Sequence, residues 1–150
     1  MNEREHLPPV RKGCRYEGNL GKTKFYLTLN YFPDGRLGEM FVDLAREGAE
    51  LRTMYHQLSM LVSRLLQYGL PAENLVRWWK GVRSEISGFM NGCGIAELDN
   101  KSYSSLFDMF AAIIEHEAIG EDAREANSGG VSGQIRTCPE EETEEAAEAA

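Results

Sequence analysis

Paired cysteines are missing from this sequence. Its three cysteines, Cys14, Cys93 and Cys138, lie far apart and form no CxxC. An odd number of scattered thiols excludes a disulfide framework and points to a reducing compartment. The histidines, His6, His56 and His116, are equally dispersed, so no metal-ligand spacing is present. Long apolar runs are missing too: nothing approaches the ~18 consecutive apolar residues of a membrane span. Residues 1–6 are charged and hold no apolar signal region, which predicts a cytoplasmic protein without a membrane partner. Positive charge is in deficit, with 16 Lys and Arg against 24 Asp and Glu for a net charge of −8. Six of the negative charges (Glu140, Glu141, Glu142, Glu144, Glu145 and Glu148) fall in the last eleven residues, so the body is only mildly acidic. That balance gives no support for general nucleic-acid binding.

What is there fits one domain. A chain of 150 residues with 42% hydrophobic content can form one core without disulfides or metal. Residues 1–10, with Pro8 and Pro9, read as an extended lead-in. Phe25, Leu27, Leu29 and Tyr31 recur at period two while Tyr26, Thr28 and Asn30 point the other way, the mark of a strand. Gly18 and Gly21 bracket a turn back to an earlier strand near residues 14–17. Pro33, Asp34 and Gly35 make a turn into a third strand near residues 39–44, with Met40, Val42 and Leu44 on one face and Phe41 and Asp43 on the other. The period then becomes helical. Leu51, Met54, Leu58, Leu61, Val62 and Leu65 form an apolar stripe, Gly69 is placed to end that helix, and Pro71 to begin the next. The second helix turns Leu75, Val76, Trp79 and Val82 inward. A glycine-bearing loop with Gly88, Gly92 and Gly94 leads to a third helix, starting near Ser102 and carrying Leu106, Met109, Phe110, Ile113 and Ile114. The fold class is α+β: a three-stranded antiparallel meander followed by about three helices packed on one face, over residues 11–120. Ser128, Gly129 and Gly130 are linker-like, and the Glu/Ala run has no stripe to bury, which predicts a disordered acidic tail over 121–150.

Several separated segments carry a family resemblance. They are Arg11-Lys12-Gly13, Lys24-Phe25-Tyr26-Leu27, the run from Asp34-Gly35-Arg36 through Gly38-Glu39 to Asp43, Glu47-Gly48, Gln67-Tyr68-Gly69-Leu70-Pro71, and Gly88-Phe89-Met90-Asn91-Gly92. In this order they resemble the C-terminal, TSCPD-type domain of class II ribonucleotide reductases, over roughly residues 7–117. The resemblance implies a place in deoxyribonucleotide synthesis. It also implies adenosylcobalamin as the cofactor of the full-length enzymes, whose radical chemistry belongs to a large barrel that this sequence does not contain. Three isolated thiols do not supply a radical cysteine plus two exchanging pairs. The expectation is therefore an accessory domain, not catalytic by itself and holding no cofactor or metal. It would bind a reductase catalytic subunit or a nucleotide; the alternative is an independent module for a small anion or nucleotide.

Candidate contact residues follow from charge and from the motifs. Arg4, Arg11, Lys12, Arg15, Lys22 and Lys24 form a basic front, read either as a phosphate-attracting face or as a solvated strand edge, with Arg11, Lys12 and Lys24 the contact candidates. Arg36 and Glu39 flank the hairpin. Arg36 is either a bidentate donor to a phosphate or carboxylate, or a turn-fixing partner of Asp34 or Glu39. Trp78 diverges by about 100° from its neighbour Trp79, so it is partly exposed or meets a partner. Cys93, between Gly92 and Gly94, marks either close backbone approach to a ligand or a tight turn. Cys138 is read as an incidental thiol, and His56 as a surface or groove residue.

Overall fold

The computed structural model describes residues 2–128 and the short strand Arg136–Thr137. Cys138 and the acidic run at 140–148 lie outside the described residues.

Three nine-residue strands, β1 (Lys12–Leu20), β2 (Thr23–Tyr31) and β3 (Leu37–Ala45), form the expected antiparallel meander. Alternation decides which side each residue takes. Tyr16, Phe25, Leu27, Leu29, Met40, Val42 and Leu44 are buried on one face. The opposite face carries cross-strand rows Glu17–Tyr26–Asp43 and Arg15–Thr28–Phe41, and Asn30 beside Glu39. Gly13 takes its place in that last row because a Cβ there would lie 2.0 Å from Asn30 Oδ1 and 2.7 Å from the Leu29 carbonyl.

Helix α1 (Ala49–Gln67) leads to α2 (Ala72–Trp79) through Gly69, at φ +104°, and Pro71, as expected. Helix α3 (Leu106–Ala118) is capped by Ser105, whose hydroxyl accepts from the Asp108 N–H. It lays Leu106, Met109, Phe110, Ile113 and Ile114 on the apolar sheet face, with Phe110 edge-on to Phe25 at 6.2 Å. Helix α2 packs on α3 with Leu75 and Val76 buried, whereas Val82 falls beyond the helix and is 36% exposed.

Three features differ from the sequence expectation. The glycine-bearing segment is not all loop: Gly88–Asn91 forms β4, paired with the end of β1, and Ser102–Tyr103 forms β5, where the third helix was expected to begin. The sheet order is β3-β2-β1-β4-β5, with β6 (Arg136–Thr137) parallel to β1. Strands of four and two residues are too short to show a period, and their glycines read as loop. Second, regular structure does not stop at 121, because Glu121–Asn127 forms α4. This helix buries no side chain, so it has no apolar stripe to betray it; its backbone rests instead on Gly35, where a Cβ would lie 2.0 Å from the Arg124 carbonyl.

The third difference concerns α1. Much of the stripe expected to be buried faces outward, with Met54 60%, Leu61 61% and Leu65 46% exposed. The buried face is Tyr55, Ser59, Val62, Ser63, Leu66 and Gln67. Helix α1 runs along the outer edge of β3, where every second residue presents an unpaired N–H and C=O. Four residues of helix advance about 6 Å and two residues of strand about 6.7 Å, so side chains at 59, 63 and 67 meet backbone at 42, 40 and 38. Ser59 Oγ accepts from Val42 N–H at 3.0 Å, and Ser63 Oγ both accepts from Met40 N–H and donates to Met40 C=O at 2.9 Å. Gln67 Nε2 donates to Gly38 C=O at 3.2 Å. The helix caps the sheet edge with hydroxyls and an amide rather than covering a face with leucines.

Candidate functional site

With α1 on the edge, the polar face of the meander stays uncovered, and a groove of about 600 Å³ opens between it and the first turns of α1. Strand residues Arg15, Tyr26, Thr28, Phe41 and Asp43 form its floor, and Arg52, Thr53 and His56 its wall. The exposed Arg15 lays its guanidinium over the Tyr26 ring, 4.7 Å from the centroid, with Lys24 Nζ at 5.5 Å. Tyr26 and Phe41 sit diagonally across β2 and β3, a spacing over which aromatic side chains still share a surface. Arg52 pairs with Asp43 at 3.6 Å, both more than half exposed. Gly48 caps α1 without a side-chain hydrogen bond to its first turn. The groove thus combines aromatic rings, two guanidinium groups and one carboxylate on a rigid floor. His56 lines it, in keeping with its reading as a groove residue.

The basic front divides. Arg11 meets Glu39 at 2.6 Å, and Glu39 also accepts from Asn30 Nδ2 at 3.1 Å, so these two candidates come together at the end of the open face. Lys24 pairs with Glu17 at 2.8 Å on the same face; that bond, first of several causes, holds the Glu17 carboxyl below its ordinary range. Lys12 turns elsewhere, donating to the carbonyls of Ala126 and Ser128 at the end of α4. Arg36 is the turn-fixing partner of Asp34, at 2.6 Å, and binds Glu5 through both carboxylate oxygens. Its guanidinium stacks on Phe32 at 4.7 Å, and it meets neither Glu39 nor the groove. Burial pushes Asp34 up, and the bonds from Arg36 outweigh it, leaving the carboxyl low. A second recess of about 310 Å³ lies between Arg36, Gly69, Glu73 and Arg124.

Trp78 is 54% exposed on α2, as its divergence from Trp79 requires. Cys93 sits in the tight turn with 3% exposure. The amides that a ligand anion would need in this turn are taken by the chain itself: Cys93 N–H and Gly94 N–H donate to the two oxygens of Asp99 at 3.1 and 2.9 Å. Burial, then the Asp99 charge, pushes the Cys93 thiol up to about 12. Cys14 is a half-buried thiol on β1. A thiol whose folded pKa exceeds its unfolded value leaves the folded chain holding more protons as pH rises between the two. We therefore expect Cys93 to resist iodoacetamide at pH 8 in the folded chain and to react on unfolding, and stability to fall as pH climbs from about 9 towards 12. Mass spectrometry of alkylated peptides and unfolding curves against pH check both.

Among the described residues no three His, Cys, Asp or Glu side chains gather as a metal site, and no helix is long and apolar enough to cross a membrane. Fold and surface together define an α+β domain whose sheet keeps one face open. A family model described as the TSCPD domain matches residues 3–118, and the chain belongs to that family. It is similar to vitamin B12-dependent ribonucleotide reductases: 40% identical over 92 residues to that of Bradyrhizobium diazoefficiens and 39% over 90 to that of Agrobacterium fabrum. The one from Streptantibioticus cattleyicolor is 36% identical over 85 residues. These matches cover 61%, 60% and 57% of this chain but only 7%, 7% and 14% of the relatives. No solved structure matches.

Those names raise the question of a corrinoid. Its broad macrocycle calls for an enclosing cradle, whereas the larger of the two recesses described here is an open groove on a sheet face. Every buried side-chain polar atom among the described residues already has a partner. His56 stands alone on α1, and His116 on α3 faces Glu97 and Glu117 at 3.5 and 3.6 Å. These residues do not fit a corrinoid.

Arg15 belongs to the basic front and His56 reads as a surface or groove residue, whereas Tyr26, Thr28, Phe41, Asp43, Arg52 and Thr53 are not singled out as contact residues in the sequence. Their signal was present in the alternation, which sets Tyr26 and Phe41 on the polar side of β2 and β3. Aromatic rings on the wrong face of an amphipathic strand are a sign of contact.

Proposed function

We propose that this chain is an accessory domain of cytoplasmic deoxyribonucleotide synthesis, not catalytic by itself, which acts by binding a partner polypeptide or a nucleotide beside a ribonucleotide reductase. The reading applies whether the reductase is a separate chain or part of the same polypeptide. The observation that carries it is the displacement of α1 to the edge of β3. It leaves both an apolar helix stripe and a sheet face without an internal partner.

The stripe favours the polypeptide. Met54, Leu61 and Leu65, seven and four residues apart, share one side of α1, the spacing at which an apolar groove or helix docks. A patch of this kind is rarely left exposed without use, and the relatives join a segment like this one to a chain many times larger. Purified chain and a purified vitamin B12-dependent ribonucleotide reductase should co-elute in size-exclusion chromatography. The paired change Met54→Lys and Leu61→Lys should abolish co-elution while leaving thermal unfolding nearly unchanged, because both side chains are about 60% exposed. Independent elution of the unaltered proteins at every concentration tested would remove the partner reading.

The groove favours the nucleotide. It pairs stacking surfaces with guanidinium groups, as the alternative reading requires. In this reading Arg15 of the basic front serves the ligand on the floor of the sheet, and the turn at Cys93, whose amides bind Asp99, does not.

A further inference from the structure

We infer that the groove between the open sheet face and α1 is a site for a nucleoside phosphate whose base carries an amino group. The inference rests on reading the chain as a binding domain, and not on its association with a reductase.

Three properties of the groove select this chemistry together. Its floor is flat and aromatic. Arg15 lies on Tyr26, Phe41 is 36% exposed one diagonal away, and both ring and guanidinium planes accept a stacked base. The rigidity comes from the register, since Arg15, Tyr26 and Phe41 stand on adjacent strands of one ladder.

The charges then decide between ligands. Inorganic phosphate alone is poorly matched, because the Asp43 carboxylate stands in the groove beside Arg52 at 3.6 Å. A purely aromatic ligand would stack on the floor but make no ionic contact with Arg52 in the wall. A nucleotide meets both demands. The exocyclic N–H groups of guanine, adenine or cytosine donate to the Asp43 carboxylate, and the phosphate turns to Arg52.

The third property is the wall. Ala49, Arg52 and Thr53 bring the start of α1 to the groove, and Gly48 supplies no side-chain cap to that turn. The backbone dipole there adds to the charge of Arg52 for a phosphate. Thr28 and Thr53 are hydroxyls within the same lining, suited to ribose.

The test is isothermal titration of the full chain with GMP, AMP, CMP and UMP, and with guanosine and inorganic phosphate, repeated at low and high salt. GMP, AMP and CMP should bind, with phosphate alone and UMP each at least tenfold weaker than GMP. Arg52→Gln and Tyr26→Ala should each weaken GMP about tenfold or more, and Asp43→Asn should erase the preference over UMP. Unfolding curves confirm that the variants are folded. Arg52→Gln, on an exposed helix surface, keeps the test decisive if Tyr26→Ala is not. Amide shifts in the labelled chain should centre on Arg15, Tyr26, Phe41, Asp43 and Arg52. Absence of binding by every nucleotide at millimolar concentration would overturn the inference. So would phosphate binding as tightly as GMP, which means an adventitious ion only, or an Arg52→Gln chain that binds GMP unchanged. Loss of reductase co-elution does not bear on these outcomes, so the two readings fall separately.

Discussion

Replacing Ser63 by Ala should destabilise the domain by about 2–4 kcal/mol, since two backbone groups lose their bond and a buried unsatisfied group costs about 1–3 kcal/mol. Ser63 is 5% exposed, and its hydroxyl alone serves both the N–H and the C=O of Met40. Alanine preserves helix propensity, so the loss reports the seam and not the helix. The same substitution at Leu61, which is 61% exposed, should change stability by no more than about 0.5 kcal/mol. Urea unfolding of the two variants compares them directly. Equal losses, or a larger loss at Leu61, would mean that α1 buries its leucines after all.

Phe110→Ala should cost about 3–5 kcal/mol, through lost burial and the cavity left behind. The ring is fully buried on α3, edge-on to Phe25 of β2 at 6.2 Å. Domains of this kind are stable by about 5–15 kcal/mol in total, so the loss is a large share. The variant should unfold at a much lower urea concentration with an unchanged slope. A loss below about 1 kcal/mol would show that α3 is not the element that closes the core.

These two helices mark where sequence reasoning succeeds and where it stops. Helix α3 obeys the simple rule, since every residue of its apolar stripe is buried. The meander also obeys it, down to the outward-facing Tyr26, Thr28, Phe41 and Asp43. Helix α1 breaks the rule because its neighbour is a strand edge, and an edge demands hydrogen-bonding groups at helical spacing. Ser59, Ser63 and Gln67, four apart, carried that demand in plain view. Their polarity reads as solvent exposure unless the partner is known to be backbone.

The candidate site was legible in part for a related reason. Charges draw the eye, yet Lys12 and Arg36 satisfy carbonyls and carboxylates within the chain. Asp99 fills the turn that the glycines at 92 and 94 opened. The residues left facing a groove are those whose neighbours in space come from α1. Their grouping follows from the helix lying on the edge, which periodicity alone does not reveal.

Deoxyribonucleotide formation tests the account at its centre. The purified chain, given adenosylcobalamin, a ribonucleotide and dithiothreitol with no second protein, should yield no product above the blank. Product that scales with chain concentration and disappears in Cys14→Ser or Cys93→Ser would contradict the account.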